Sequence, residues 1–332
     1  MASSISCASL FILTITLGCL QFVKADDRAE LASYFDAHEA NWSAIQKMDV
    51  YCKTDEYREP GVEPGVTETT WERLVFDSVN DRYTYVKLIE MRLFETEEVT
   101  ESVETGFIIK DGMYRSFSGN KRRYPPQVVE SREKVFDEHR MPDWRILMLV
   151  GNRKGSPQTW RENRANAMQV LPQRAASIRK ISFDSSGVVF ESFDERGAGH
   201  RYIFRDEDLM PSKVYWLFKS GPETVKTIGI DRFTWKKVAN VLVPDTVEGT
   251  YQERQFRLKL AELRKLNATK MTAEEVKKLY VDVTIHRDMQ FEWLGVNSSL
   301  ADELFDFALI DSPGEFLALC DSKTVNKFKS QQ

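Results

Sequence analysis

Reactive chemistry in this chain would have to come from scattered groups. Its four histidines, His38, His139, His200 and His286, stand singly, without the paired spacing that metal sites use. The sequence contains no G-x-S-x-G, H-E-x-x-H, P-loop, G-x-G-x-x-G or C-x-x-C. Acidic clusters such as Asp206-Glu207-Asp208 fall at turns, where Asp is favoured by its own side-chain hydrogen bonds. The sequence therefore names no catalytic residue, metal ligand or cofactor motif. Two carboxylates could still converge in space as glycosidase pairs do. An exported hydrolase working in a polar cleft is accordingly one reading to carry forward.

The residues that do stand out are apolar. An antiparallel strand with one wet face should alternate apolar and polar side chains. Val214-Tyr215-Trp216-Leu217-Phe218 is apolar on both faces, as are Tyr202-Ile203-Phe204 and Val241-Leu242-Val243. Phe233 and Trp235 share a face beside Lys236-Lys237. Tyr202, Phe204, Val214, Trp216, Phe218, Phe233 and Trp235 are thus expected to line a sheet face that meets an apolar ligand or the chain's own helical cover.

Composition narrows the classes. The 332 residues are 42% hydrophobic and 29% charged, with a net charge of −5, which speaks against nucleic acid as a partner. The densest basic run, Lys121-Arg122-Arg123, reads as a solvated turn. Met1 to Val23 carries no charged side chain, and Val23-Lys24-Ala25 offers a signal-peptidase site ahead of Asp26-Asp27. The expectation is an exported, periplasmic or secreted protein cleaved after Ala25. A lipid on Cys19, in Thr16-Leu17-Gly18-Cys19, is the weaker option. Cleavage leaves Cys52 and Cys320, which could form a disulfide or remain two buried thiols. Asn41, Asn267 and Asn297 begin N-x-S/T sequons, which eukaryotic secretion would glycosylate.

The elements that must position these residues follow from periodicity. Leu31, Tyr34, Phe35, His38, Trp42 and Ile45 recur at helical spacing over Asp27–Met48, a helix built to lie on a sheet, with His38 packed rather than ligating. Strands are expected at Val50–Arg58, Thr69–Asp77, Arg82–Glu95, Phe107–Lys110 and Met113–Phe117, the last two around the hairpin signal Asp111-Gly112. From Ser177 to Gln252 six further strands alternate with tight turns, and connections that short force antiparallel neighbours. Between these halves, about residues 126–176, the spacing turns helical, beginning with Val128–His139, and reads as an insertion covering the sheet. Arg254–Leu266 fits strand or helix. Thr272-Ala273-Glu274-Glu275 opens a helix to Leu279, Val281–Trp293 returns to strand, and Ser299–Leu309 begins with a capping signal. The fold class is α+β, mostly antiparallel β: a curved incomplete barrel forming a single domain over residues 26–332.

Two stretches carry a resemblance. Asp208-Leu209-Met210-Pro211-Ser212-Lys213-Val214 and the later Phe233-Thr234-Trp235-Lys236-Lys237-Val238, ending through Val241-Leu242-Val243-Pro244, are similar to the paired-strand pattern of LolA/LolB-like lipoprotein-sorting half-barrels. The resemblance implies an incomplete barrel of about eleven strands with a hydrophobic cavity plugged by helices that an acyl chain displaces. It further implies a non-enzymatic, monomeric carrier of a lipid, lipoprotein acyl chain or other apolar molecule, with peripheral membrane contact. The family's lid-latching Arg has no counterpart that can be placed here. A structural domain with a sealed core remains the third reading.

Overall fold

The computed structural model of the chain describes residues 25–59, 65–93, 99–120, 124–129, 175–184, 187–219, 221, 224–256, 272, 278–311 and 319. One helix, α1 (Ala25–Ser43), precedes six strands: β1 (Lys47–Arg58), β2 (Val66–Asp77), β3 (Arg82–Leu93), β4 (Val99–Lys110), β5 (Met113–Asn120) and β6 (Tyr124–Val129). Seven more follow: β7 (Ser177–Asp184), β8 (Gly187–Phe193), β9 (Ala198–Phe204), β10 (Pro211–Lys219), β11 (Val225–Val238), β12 (Val241–Phe256) and β13 (Tyr280–Val296). The chain then makes a 3-10 turn at Asp302–Phe305 and a one-turn helix, α2 (Ala308–Asp311).

All thirteen strands form one antiparallel sheet in the order β6-β5-β4-β3-β2-β1-β13-β12-β11-β10-β9-β8-β7. Each strand pairs with its sequence neighbour, and β1 pairs with β13, so the meander is interrupted only between β6 and β7. Those two edge strands leave the sheet open rather than closed into a barrel. The residues joining them, 130–174, lie outside the described part of the chain, and with them most of the expected helical insertion. Its first residues, Val128 and Val129, are strand β6 and not helix: they pair with Phe117 and Ser116. The adjacent prolines of β6 are tolerated because one can face the free outer edge and both fall where the register with β5 shifts, between Ser118 and Asn120.

Local chemistry explains the turns. Asp111 (φ 53°) and Gly112 (φ 73°) make the two-residue hairpin of β4–β5 with both residues left-handed, matching strand twist. Ala239 and Asn240 do the same between β11 and β12. At β2–β3 the Asp77 carboxylate accepts from the Val79 and Asn80 amides (3.2 Å each), the Asn80 Nδ2 (2.8 Å) and Arg82 Nη2 (2.9 Å). Burial opposes its charge, but these donors prevail and hold its pKa down to about 2.

A flat sheet of thirteen strands would be roughly 58 Å wide, about twice the ~28 Å length of α1. Yet one core cluster joins α1 to residues from β8, through Phe190, round to β4, through Phe107. The sheet is therefore curled about its helix. We call the face that meets α1 the inner face. Leu31, Phe35 and Trp42 supply the helix's side of this core, Ile45 joins it from the α1–β1 connection, and Tyr34 packs on Phe190 and Phe204. His38 is fully buried: its Nε2 accepts the Trp42 indole N–H (2.7 Å) and its Nδ1 lies 3.4 Å from the Met210 sulfur, a packing role as expected. Among the described residues no helix is long and apolar enough to cross a membrane.

Strand alternation puts a second, smaller core on the outer face. Val86 and Ile108 meet Ile310, and Phe305 lies under Arg82. The expected Ser299–Leu309 helix is instead the 3-10 turn and α2, begun by Ala301 without a side-chain cap. Thr84 Oγ1 takes the Leu304 carbonyl (2.5 Å), which ties the segment to the sheet and draws that carbonyl out of a helical ladder. β12 runs on to Phe256, resolving the start of the ambiguous 254–266 stretch as strand. The amide side chains of two sequons are structural. Asn41 bonds both ways with Leu242, and Asn297 holds Ala44, Gln46 and Lys47 at the helix–strand junction. Asn267 lies outside the described residues.

Cys52 is a free, buried thiol, so the anticipated bridge to Cys320 is not seen at its one described end. Cys52 points to the inner core, whereas its neighbour Tyr51 points outward and donates to the Leu319 carbonyl. Cys320 itself is outside the described residues.

Trp42 touches Trp235, Trp293 and His38, the centre of the helix–sheet contact. Trp42→Ala should lower the unfolding free energy by about 3–5 kcal/mol, measured by urea denaturation; a loss under ~1 kcal/mol would show that α1 contributes little to the core.

Candidate ligand-binding site

The inner face changes character along its strands. Beneath α1 it is apolar: Phe204 and Tyr202 on β9, Val214 on β10, Phe233 on β11, Val243 and Val247 on β12, Phe291 on β13. One or two residues further along the same faces, the side chains become polar. His200 follows Tyr202, Trp216 follows Val214, Asp231 precedes Phe233, Tyr251 lies past Val247, Arg287 precedes Met289, and Glu56 lies past Cys52. Period-two alternation keeps each of these on the inner face.

The polar residues join into a band across six strands. Asp231 is its centre, a nearly buried carboxylate whose Oδ2 accepts the Trp216 indole N–H (2.8 Å) and whose Oδ1 accepts the Tyr251 hydroxyl. Arg287 lies over the Tyr251 ring (5.0 Å to its centroid) and gives Nε and Nη2 to Glu56 Oε2 at 3.1 and 2.9 Å. At the other end the Trp216 ring meets His200 edge-on (4.7 Å), and His200 stacks on Tyr202 (5.6 Å). Beyond Glu56 the margin continues through Glu72, which receives the Tyr85 hydroxyl and lies 3.9 Å from Lys87 Nζ.

Two glycines make this arrangement possible. A Cβ on Gly249 would sit 2.7 Å from the Tyr251 ring and 2.9 Å from Asp231 Oδ1. One on Gly229 would sit 2.7 Å from the same ring and 3.3 Å from Trp216. Tyr251 can therefore lie across both strands only because neither position has a side chain.

Burial sets the electrostatics. Desolvation raises the Asp231 pKa against the pull of its two hydrogen bonds and of Arg287. The Tyr251 hydroxyl is pushed up by burial and then by the Asp231 charge. Arg287 is desolvated, but Tyr251 and Glu56 more than offset this and keep its pKa raised. Burial lowers His200 to about 4, so its ring is neutral at physiological pH. Its Nε2 is buried and has no hydrogen-bond partner among the described residues.

All seven sequence-nominated residues lie on the inner face, in two environments. Tyr202, Phe204, Val214 and Phe233 are buried in the α1 core. Trp235 packs against Trp42 and His38 and donates to the Pro211 carbonyl (2.8 Å). Trp216 belongs to the polar band, and Phe218, 43% exposed, lies beyond it. The remaining band members were not singled out from sequence. Their signal was a polar residue in phase with an aromatic row, Asp231 with Phe233 and Trp235, together with glycines inside strands. Among the described residues, no three His, Cys, Asp or Glu converge as metal ligands. A shallow depression of about 510 Å³ lies elsewhere, beside the β8–β9 turn at Asp194–Gly197.

No family model matches the chain, and no curated protein matches it. Similar solved structures include a domain described as an outer membrane lipoprotein-sorting protein from Vibrio parahaemolyticus, 10% identical at TM-score 0.35 over 83% of this chain and 97% of that one. A DUF1329 family protein from Desulfovibrio piger is 7% identical at TM-score 0.39 over 84% and 98%. A LolA superfamily protein from Nitrosomonas europaea is 8% identical at TM-score 0.33 over 83% and 97%. The first and third of these carry in their descriptions the class that the strand pattern resembles. Likeness this slight carries no argument about function, which has to come from the site.

The two buried groups give opposite pH signs. His200 has a folded pKa of about 4 against 6.5 when free, so unfolding takes up a proton between those values. Its contribution is complete above pH 6.5 and lost as pH falls toward 4. Asp231, whose folded pKa is raised, costs stability as pH rises through that raised value. His200→Gln should flatten the fall in urea midpoint between pH 6.5 and 4; an unchanged slope would contradict the burial of a neutral ring.

Proposed function

We propose that this chain is an exported, non-enzymatic binding protein that holds an apolar chain, such as a lipid or lipoprotein acyl group, on the inner face of its open sheet. The observation that supports this is the polarity gradient: an aromatic and aliphatic floor under a single helix, bordered along successive strands by a polar margin. An amphiphile has the same two-part character. α1 occupies the apolar floor in this structure, so the ligand takes the helix's place by displacing it. The helix is fastened to the sheet at its ends, through Lys180–Glu30 (2.5 Å) near its start and Asn41–Leu242 near its finish.

The carboxylates of the band do not suit hydrolysis. Both Asp231 oxygens are already hydrogen-bonded by protein donors, and Glu56 takes two donors from Arg287 on one oxygen. A general acid or base needs access to the substrate's proton, and these acids are committed to holding the band together. Export rests on the sequence of residues 1–25, and a monomer remains the working state.

Binding driven by buried methylenes gains ~0.8 kcal/mol for each, or roughly fourfold in affinity. Titration of delipidated protein with fatty acids of increasing length should show a single site with about that slope. No uptake at any length, together with a ligand-free native mass after gentle purification, would refute the carrier reading.

A further inference from the structure

The carrier reading leaves open what the polar margin is for, and its chemistry is specific enough to answer. We infer that the margin reads the head of the ligand, and that this head is an uncharged hydroxyl-bearing group, of the monoacylglycerol or long-chain alcohol type, rather than an anion. The inference rests on the carrier reading and adds the class of ligand to it.

The charges of the margin come first. Every cation described there already has a carboxylate: Arg287 with Glu56, Lys87 with Glu72, Arg58 with Glu253 (3.7 Å), Lys226 with Asp282 (3.9 Å). Asp231 adds a further acid at the centre, with neutral donors on both oxygens. A phosphate or carboxylate head would meet this field with the two cations nearest its centre, Arg287 and Lys87, each already facing a carboxylate. Removing Arg287 from Glu56 for that purpose would strand a charge in a desolvated site, which is costly.

The hydrogen-bonding capacity comes second. Asp231, Trp216 and Tyr251 are hydrogen-bonded to one another, and Arg287 donates to Glu56. Among the described members of the band, the buried atom left unpaired is His200 Nε2, and an unmet buried polar atom costs on the order of 1–3 kcal/mol. His200 stands where the apolar floor ends, between Tyr202, which α1 covers through Phe35, and Trp216 of the band. A head group emerging from beneath the helix meets it first. The ring is neutral, so Nε2 is either a donor or an acceptor according to its tautomer. A hydroxyl complements both, because it donates and accepts. A carboxylate can only accept, and it brings a charge that faces Asp231.

Competition binding with three ligands sharing one acyl chain separates the possibilities: a monoacylglycerol, the free fatty acid and the lysophosphatidic acid. The monoacylglycerol should bind at least about tenfold tighter than either anion. His200→Leu should reduce its affinity to that of the fatty acid, and His200→Gln, which retains hydrogen-bonding capacity, should keep the preference. Thermal melts of both variants verify folding, and a Leu variant that fails to fold leaves the Gln variant and the three wild-type affinities to decide. Equal affinities, tighter binding of an anion, or a preference lost in His200→Gln would overturn the inference while leaving the carrier reading intact. If none of the three ligands binds, both fall together.

Discussion

The contact between α1 and the inner face of the sheet is the constraint on which the rest depends. A sheet this wide, with aromatic residues on consecutive strands, cannot leave that face in water, and one helix is the cover the described structure supplies. The cover is effective because the sheet curls to meet it. Trp42 reaches Trp235 on β11 and Trp293 on β13, while Tyr34 reaches Phe190 on β8. Helix and sheet are held in register at both ends of α1, by Glu30 and Asp27 against Lys180 near its start and by Asn41 against Leu242 near its finish, with Asn297 bracing the α1–β1 connection. An apolar contact fastened at its ends can be exchanged for another apolar contact at little net cost, since burial is non-directional.

What lies beyond the helix makes the face a site rather than a core. The strands continue past α1, and there the inner positions change from Phe, Tyr and Val to His, Trp, Asp, Tyr, Arg and Glu. The outer face shows how the same sheet behaves when polarity is merely structural. There Glu191, almost fully buried, is held between Arg179 and Arg201, each guanidinium giving Nε and Nη2 to one of its oxygens. The inner band is built differently: its members are interlocked through aromatic rings, and room is cleared for Tyr251 by two glycines.

Much of the architecture was legible in the sequence. The five strand pairs of the β7–β12 meander follow from turn chemistry, because short connections admit only antiparallel neighbours, and the helical stripe from Leu31 to Trp42 is the one the core uses. The pairing of β1 with β13 was not legible, since it joins strands more than two hundred positions apart without any local signal. The Ser299 capping motif misled because the sheet claimed the Leu304 carbonyl. The site was half legible. Aromatic strands announced an apolar face, but which end α1 covers depends on tertiary packing, and the band appears only when Glu56, Arg287, Asp231 and His200 are brought into one row by registers that periodicity alone does not fix. Cys52 shows the same limit: the side of the sheet that it faces is a matter of register.

The central claim is that α1 is a replaceable cover over a ligand floor. Hydrogen exchange of the α1 amides, followed by mass spectrometry with and without a saturating long-chain amphiphile, tests it most directly. The account predicts that exchange in the segment from Leu31 to Ser43 accelerates when ligand is bound, while the β11–β13 amides stay protected. Unchanged or slower exchange throughout α1, with ligand demonstrably bound, would place the ligand elsewhere and contradict the account.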